Sequence, residues 1–241
     1  MCARSWQAIG PAAGLQPPPQ TAQRAGQSLV STLLSRATPR RAFRSEAFDQ
    51  SDMEQAELFD TASKFPAGFR YMGELISQAQ EQRLIKHFQE LEFKPFEFHG
   101  FLGKRRIVSF GWRYDFSGGG LQKTDDIPSF LEPVRSQAPA FAMLKASDLQ
   151  HVLVTEYQPG AAIGWHKDRS VFGDVVGISL MSPCTFRLRR KAGVGWQRAA
   201  ITLGRRSAYL LRGEARVEWE HSIPAVTELR YSITLRNFRT A

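Results

Sequence analysis

A short segment near the carboxyl end of the chain alternates between two kinds of side chain. In a β-strand, alternate residues point to opposite faces. One face of residues 230–236 would carry Arg230, Ser232, Thr234 and Arg236. The two arginine Cα atoms would lie roughly 20 Å apart, at ~3.3 Å per residue. Guanidinium groups bind carboxylates through paired hydrogen bonds. The segment therefore predicts a site for a small dicarboxylate, with one arginine for each carboxylate.

Two histidines and an aspartate could form a metal site beside this strand. His166 and Asp168 are two positions apart, which places both on one face of an extended segment, and His221 would come from a distant strand. Two imidazoles and one carboxylate leave three octahedral positions open, as in non-haem Fe(II) oxygenases. Taken alone, each motif also fits a local polar pair or an exposed loop histidine. Together with the arginine strand they predict an iron centre, and no catalytic residue beyond it.

The bulk composition limits the classes of protein to be considered. The chain has 241 residues and a net charge of +9. Residues 1–45 contribute six arginines and no acid, so residues 46–241 hold 26 basic and 23 acidic residues. Net charge alone therefore does not indicate nucleic-acid binding. Two cysteines exclude a disulfide framework and fit a reducing compartment. We expect a soluble, cytoplasmic protein with no membrane contact, since no apolar run has the length of a membrane helix.

The first part of the chain has the composition of a disordered extension. Residues 1–60 are rich in Ala, Pro, Gln, Ser and Arg and show no sustained periodicity. The segment could direct the protein to an organelle, or act as a basic arm for nucleic acid. A translation start placed too far upstream is favoured, because Met53 precedes the first organised sequence. We expect a disordered or non-native extension over residues 1–60 and one domain over residues 61–241.

The remaining sequence predicts a mainly β domain with flanking helices. Helices are expected over 73–91 and 128–145, and two strands over 96–101 and 107–110, joined by a basic turn at 103–106. A flexible glycine loop follows at 118–120. Further strands are expected over 151–157, 175–181, 184–190, 199–203, 207–211, 215–218 and 230–236. Many short strands with close turns predict an eight-stranded jelly roll with helices outside it.

The order of these motifs resembles that of the AlkB family of Fe(II)/2-oxoglutarate dioxygenases. The matching elements, all read from the sequence, are Tyr157-x-Pro159-Gly160, His166-x-Asp168, Ile178-Ser179-Leu180, His221-Ser222-Ile223-Pro224 and Arg230-x-Ser232-x-Thr234-x-Arg236. They lie within about residues 70–239. The resemblance implies a double-stranded β-helix (jelly roll) whose cofactors are Fe(2+), the co-substrate 2-oxoglutarate and O2.

The resemblance also implies roles for individual residues. His166, Asp168 and His221 would hold iron, and Arg230 the distal carboxylate of 2-oxoglutarate. Arg236 would lie near the metal-bound carboxylate and Asp168. The remaining co-substrate residues would be Tyr157, Thr155, Leu153 and Ser232, although Leu153 fits an ordinary core position equally well. The implied reaction is oxidative demethylation of bases such as 1-methyladenine and 3-methylcytosine in DNA or RNA. It releases succinate, CO2 and formaldehyde and fits a function in DNA repair.

Residues 96–120 are expected to form a lid that recognises the nucleotide. The residues expected to contact substrate are Tyr114, Trp112, Arg105, Arg106 and Arg169, because basic and aromatic side chains grip phosphates and stack bases. A second basic cluster comprises Arg187, Arg189, Arg190 and Lys191, the last two expected in a turn. The family's acidic residue after His-x-Asp is missing, and the first acid is Asp174. Base recognition must therefore differ, or Asp174 must fold back toward the site.

Three classes of function stay open at this point. The preferred one is a monomeric nucleic-acid demethylase acting on single-stranded substrate or a flipped base. The same chemistry on a protein or on tRNA is an alternative. A non-catalytic jelly-roll binding module is the third, and the intact order of motifs disfavours it.

Overall fold

Two antiparallel sheets form the framework of the domain. The computed structural model describes residues 64–98, 101–115 and 118–239. The strands are β1 (Phe69–Met72), β2 (Lys94–Phe98), β3 (Phe101–Phe110), β4 (Trp112–Asp115), β5 (Gly120–Lys123), β6 (His151–Tyr157), β7 (Ile163–His166), β8 (Phe172–Leu180), β9 (Cys184–Ala192), β10 (Gly195–Leu203), β11 (Ala208–Leu211), β12 (Glu220–Ile223) and β13 (Arg230–Phe238). The helices are α1 (Gln78–Phe88), α2 (Glu132–Ala142) and α3 (Gly213–Val217).

The strand order is that of a double-stranded β-helix. The major sheet runs β1-β11-β8-β13-β6-β3-β2 and the minor sheet β10-β9-β12-β7, while β4 and β5 pair as a separate hairpin. Along the chain the eight strands β6 to β13 alternate between the two sheets except at β9 and β10, which are both in the minor sheet and form a hairpin. Paired neighbours are antiparallel. The predicted mainly β jelly roll with flanking helices is confirmed.

The major sheet buries both of its faces. One face carries Val154, Ile178 and Ile233, which pack with Leu84 and Phe88 of α1 and with residues of α2. The other face packs against the minor sheet through a second apolar cluster, which includes Tyr157, Val175, Phe186, Leu188 and Trp219. The near-continuous burial of β13, with its arginines included, follows from this position between two layers. The space between the sheets is where the predicted site residues must lie.

Several sequence predictions of local structure are wrong. Residues 215–218 were expected to be a strand, yet α3 occupies Gly213–Val217 and the strand follows at Glu220–Ile223. Strand β7 (Ile163–His166) was not expected, because four residues are too short for a recognisable period. The basic turn at 103–106 lies inside β3, and Arg190 and Lys191 lie inside β9. Both segments are long hairpin strands whose pairing overrides their polar composition.

The predictions for residues 1–60 lie outside the described residues. Among the residues that the structure does describe, no helix is long and apolar enough to cross a membrane.

A buried carboxylate ties α1 to the major sheet. Glu81 is 1 % exposed, accepts the Met181 N–H at 2.7 Å and receives Arg205 Nη2 at 3.0 Å. Burial alone would raise the pKa of Glu81, but these hydrogen bonds and the nearby arginines lower it below 4.5. Ionised Glu81 therefore stabilises the fold above about pH 4.5, and this contribution disappears as the pH falls through the lowered pKa.

Glu81→Gln should lower the free energy of unfolding by about 2 kcal/mol at pH 7, because charge-assisted hydrogen bonds are lost. The difference between the variant and the wild type should shrink as the pH falls below 4, which urea denaturation at several pH values can measure. A difference in unfolding free energy between variant and wild type that stays constant down to pH 2 would contradict the conclusion that Glu81 is ionised in the folded protein.

Candidate metal and co-substrate site

The three predicted metal ligands meet where the ends of β7 and β12 pair. His221 on β12 lies directly opposite His166 on β7, and their rings are 4.2 Å apart between centroids. Asp168 follows two residues after His166, and its Oδ2 lies 3.7 Å from His221 Nε2. His166 and Asp168 are close because they are two residues apart. The antiparallel pairing of β7 and β12 then brings in His221, which is 55 residues after His166.

The hydrogen bonds of this group leave metal-binding atoms available. His166 Nδ1 donates to the Gly164 carbonyl at 2.9 Å, which leaves Nε2 as a lone-pair donor. Asp168 Oδ2 is buried and has no hydrogen-bond partner in the described part of the chain. A buried carboxylate oxygen without a partner is costly unless a cation completes it. These residue types and free atoms fit Fe(2+).

Electrostatics set the three groups in their metal-binding protonation states. Burial lowers the pKa of His166 and, together with the neighbouring His166 ring, brings the pKa of His221 to about 3. Burial alone would raise the pKa of Asp168, but Arg236 and the two imidazoles hold it well below its usual range. At neutral pH the site therefore presents two neutral imidazoles and one carboxylate, which is the donor set that a divalent metal requires.

The side chains do not yet surround a common centre. Within residues 64–98, 101–115 and 118–239, no set of three His, Cys, Asp and Glu side chains has its donor atoms already arranged around a metal. Asp168 Oδ1 is instead held by Arg236, whose Nε and Nη2 donate to it at 2.9 and 2.6 Å. Ligation by His166, Asp168 and His221 stays a prediction.

The two arginines of β13 have different surroundings. Arg236 donates through Nε and Nη2 to Asp168. Its Nη1 donates at 3.2 Å to Nδ1 of His151, the residue opposite it on β6. The expectation of one arginine fork for each carboxylate of a dicarboxylate therefore does not describe this structure, since the fork of Arg236 is occupied. Arg236 instead orients the predicted metal ligand. Its role as a direct co-substrate ligand stays a prediction.

Two donor atoms of Arg230 have no hydrogen-bond acceptor in the described part of the chain. Arg230 is 1 % exposed, and its Nε and Nη1 are buried without a hydrogen-bond acceptor among the described residues. Its guanidinium lies 4.7 Å from the ring centroid of Tyr157, the residue opposite it on β6. A buried charge with two unused donors is unfavourable by itself. The position fits a carboxylate that arrives with a ligand.

The other predicted co-substrate residues line the same face. Ser232 pairs with Thr155, and the Tyr157 hydroxyl lies 3.4 Å from Ser232 Oγ. Leu153, opposite Thr234, continues this face toward Arg236. In an antiparallel ladder, opposite residues share a face, so the alternation in residues 230–236 and in β6 builds one wall of the cavity.

Two further residues of this region were not predicted from the sequence. Tyr209 on β11 crosses Gly177 of β8, where an added Cβ would lie 2.2 Å from the tyrosine ring. A glycine inside a strand signals such a close approach. Arg216 on α3 donates to the carbonyls of Arg169, Phe172 and Gly173 and so holds the loop after Asp168. No sequence signal would have identified Arg216.

The residues expected to contact substrate separate into two groups. Trp112 and Tyr114 lie on one face of β4, and the Arg169 guanidinium is 4.9 Å from the Tyr114 ring centroid. This contact joins the β4–β5 hairpin to the loop after Asp168. Trp112 packs edge-on against Phe238 at 5.4 Å.

Neighbouring positions on β3 place Arg105 and Arg106 on opposite faces. Arg106 pairs with Glu156 and donates to its buried carboxylate at 2.8 Å, whereas Ile107 pairs with Thr155 on the cavity side. Arg105 therefore shares the cavity face, where its guanidinium lies 3.8 Å from the Phe96 ring centroid. The expectation that Arg106 binds substrate is not supported, because its guanidinium neutralises Glu156.

This difference predicts opposite outcomes for two alanine variants. Arg106→Ala should lower the free energy of unfolding by about 1–2 kcal/mol, because Glu156 loses a charged partner, and should leave oligonucleotide affinity unchanged. Arg105→Ala should leave stability unchanged and weaken single-stranded oligonucleotide binding about fivefold, through one lost phosphate contact. Thermal melting and fluorescence anisotropy of the same preparations measure both. Equal behaviour of the two variants in either measurement would refute the assignment.

Asp174 does not fold back toward the ligands. It lies in β8 and accepts Arg212 Nε and Nη2 at 2.8 and 2.6 Å. Its carboxylate is used to fix the start of α3, where Arg212 also donates to the Ala142 carbonyl at 2.7 Å. Recognition of a base through an acid after His-x-Asp is therefore not available from Asp174.

Comparison with known proteins agrees with this architecture. Residues 68–236 match the model of the 2OG-Fe(II) oxygenase superfamily, so the chain belongs to that superfamily. Membership implies a dioxygenase that uses Fe(2+), 2-oxoglutarate and O2. Within the superfamily the chain is AlkB-like. It is 27% identical over 198 residues to the alkylated DNA repair protein ALKBH8 homolog of Arabidopsis thaliana, covering 72% of this chain and 55% of the relative.

Two further similarities extend this result. The chain is 28% identical over 165 residues to the mouse (Mus musculus) tRNA (carboxymethyluridine(34)-5-O)-methyltransferase ALKBH8, covering 66% of this chain and 24% of the relative. It thus spans about half of the plant protein and about a quarter of the mouse protein. The solved structure of OsALKBH1 aligns with a TM-score of 0.56 at 15% identity, covering 72% of this chain and 98% of that one. A Pseudomonas putida prolyl-4-hydroxylase aligns with a TM-score of 0.52 at 14% identity, covering 77% and 98%. The two structural matches support the jelly-roll fold.

Proposed function

We propose that this protein oxidatively demethylates N-alkylated nucleobases of the 1-methyladenine or 3-methylcytosine type. The reaction is coupled to decarboxylation of 2-oxoglutarate and releases succinate, CO2 and formaldehyde. The observation that carries the proposal is the buried guanidinium of Arg230, whose Nε and Nη1 lack an acceptor in the described residues. Arg230 shares its face of β13 with Arg236, which binds Asp168. A carboxylate of 2-oxoglutarate would satisfy both donors.

The chain's own residues would bind and orient the reactants. His166, Asp168 and His221 would hold Fe(2+), and Arg236 keeps the Asp168 carboxylate ionised and aimed. Arg230, Tyr157 and Ser232 would receive the distal carboxylate, while Thr155 and Leu153 line the wall between. When bound, the iron with 2-oxoglutarate and O2 supplies the oxidising step, in which one oxygen atom enters succinate and the other the alkyl carbon. The hydroxylated carbon then leaves as formaldehyde.

RNA is the substrate that we favour. The proposal draws on the mouse relative, which is named for tRNA, and on the basic and aromatic side chains beside the cavity mouth. The Arabidopsis relative is named for alkylated DNA repair, so DNA is the comparison substrate. Action on a protein N-methyl group is a further outcome of the same test. A monomeric state and a cytoplasmic location stay predictions.

A succinate-release assay against matched substrates tests the proposal. Iron-loaded protein would be given single-stranded RNA, single-stranded DNA and a lysine-methylated peptide, each with and without the methyl group. We expect methyl-dependent succinate and formaldehyde in equal amounts, highest with RNA. Turnover with DNA alone, or with the peptide alone, would show that the substrate is DNA or protein and that the demethylation chemistry is as proposed. Absence of methyl-dependent turnover on all three would refute the demethylase assignment.

A further inference from the structure

The outward face of the minor sheet carries a regular pattern of cationic and aromatic side chains. In β9, buried Cys184, Phe186 and Leu188 alternate with residues that point away from the core. Cross-strand pairing then places on one face of β9, β10 and β12 the residues Thr185, Arg187, Arg189, Lys191, Trp196, Arg198, Ala200, Thr202, Glu220 and Ser222. Four of these are basic and one is acidic. The sheet face therefore has a net positive charge, within a described region (residues 64–239) that itself holds 26 basic and 17 acidic residues.

Two tryptophans complete this surface, which we call the Trp–Arg face. The Arg189 guanidinium lies 4.4 Å from the ring centroid of Trp165 and 4.2 Å from that of Trp196. Arg187 approaches Trp165 at 5.0 Å. Trp196 nevertheless stays 40% exposed. A large aromatic ring held in place on an otherwise polar surface is typical of binding sites.

Internal contacts use only part of the charge. Glu220 binds Arg189 at 2.6 Å, and Ser222 Oγ accepts from Arg187 Nε at 3.0 Å. Lys191 and Arg198 are exposed and make no hydrogen bond or ion pair with any described residue. The face thus has two ordered arginines that orient the rings, and two further cations whose charge is available to a ligand.

The Trp–Arg face lies on the reverse of the strands that carry the metal ligands. Trp165 precedes His166 on the edge strand β7, and Glu220 and Ser222 flank His221 on β12. From β10 to β7 there are three inter-strand spacings, about 14 Å in total. A single strand crossing the face in this direction would reach the sheet edge at β7, the strand that carries His166.

We propose that the Trp–Arg face binds single-stranded RNA, with Lys191 and Arg198 on phosphates and Trp196 stacked on a base. An exposed aromatic ring that can stack a base, next to cations that can contact phosphates, is the combination that binds single-stranded nucleic acid. An acidic peptide would match the charge but would leave the tryptophan ring without a stacking partner. The choice of RNA rests on the proposed function, and the face would hold the substrate strand outside the catalytic cavity.

Fluorescence anisotropy with an unmodified single-stranded RNA of about 12 nucleotides tests this proposal, a length within known single-strand site sizes. The assay contains neither iron nor 2-oxoglutarate, so it does not depend on turnover. Trp196→Ala should weaken binding about tenfold through loss of one stacked base. Lys191→Ala combined with Arg198→Ala should reduce the slope of log affinity against log salt by about 1.4, the value for two phosphates on a single strand.

The matched control removes two exposed cations elsewhere, through Arg83→Ala combined with Lys86→Ala on α1. It should bind RNA as the wild type does. Unchanged melting temperatures would show that the substitutions, all at exposed positions, leave the fold intact. The proposal is overturned if the Trp–Arg variants bind like the wild type, if the control loses as much affinity, or if polyglutamate competes as well as unlabelled RNA. Normal RNA binding without any demethylation would overturn the proposed function alone.

Discussion

Arg230→Met is expected to raise the KM for 2-oxoglutarate about 30-fold or more, since truncating one partner of a buried charge pair typically costs 2–5 kcal/mol or more. The free energy of unfolding of the ligand-free protein should stay the same or rise. The reason is that Arg230 is buried with Nε and Nη1 unpaired in the described structure, so the side chain carries a desolvation cost that only a ligand removes.

Steady-state succinate release at varied 2-oxoglutarate, with urea denaturation of the same protein, measures both quantities. Arg212→Met is the matched control, because Arg212 is a partly buried arginine already paired with Asp174. It should lose about 2 kcal/mol of stability and keep the wild-type KM. If Arg230→Met instead unfolds the protein more easily and leaves KM unchanged, Arg230 has a structural role and the co-substrate assignment is wrong.

His221→Ala is expected to reduce iron-dependent succinate release to below about 1% of wild type, because even partners of metal ligands cost 10–100-fold in metal affinity or activity when removed. His221 lies directly opposite His166 and within 3.7 Å of Asp168. Without its imidazole the site keeps only two protein ligands for the metal.

The measurement pairs turnover with anaerobic titration of iron in the presence of 2-oxoglutarate, followed by absorption. His87→Ala serves as the control, since His87 is a partly exposed histidine on α1 whose ring contacts Glu90 and Phe130. It should keep wild-type absorption and turnover. Because His221 is buried, His166→Ala provides a second variant at a more accessible position, and it should lose the same signals. Retention of iron-dependent absorption by both variants would exclude the proposed triad.

The core strands were predictable from the sequence where burial imposes a clear period. Strand β6 was predicted at its observed bounds, and β8, β9, β11 and β13 to within a few residues, because alternating or continuous apolar residues dominate those segments. Short β7 gives too few residues for a period. The segment 213–217 forms a helix because Arg216 docks onto the carbonyls of the loop after Asp168, a tertiary contact without a local signal.

The sequence alone determined which residue types stand at which spacing: two histidines and an aspartate, and an arginine strand with a period of two. The pairing register of the strands was needed to decide which side chains meet, because the register sets which residues lie opposite one another on the same face. Only the tertiary structure decided that Arg236 is bound to Asp168, whereas Nε and Nη1 of Arg230 have no acceptor among the described residues. It likewise turned Arg106 toward Glu156 and away from the cavity, and it joined Arg189 to two tryptophans from separate strands. The local sequence specifies the types of side chain and their spacing. The pairing of distant strands determines which of these side chains find hydrogen-bond partners and which keep unsatisfied donors.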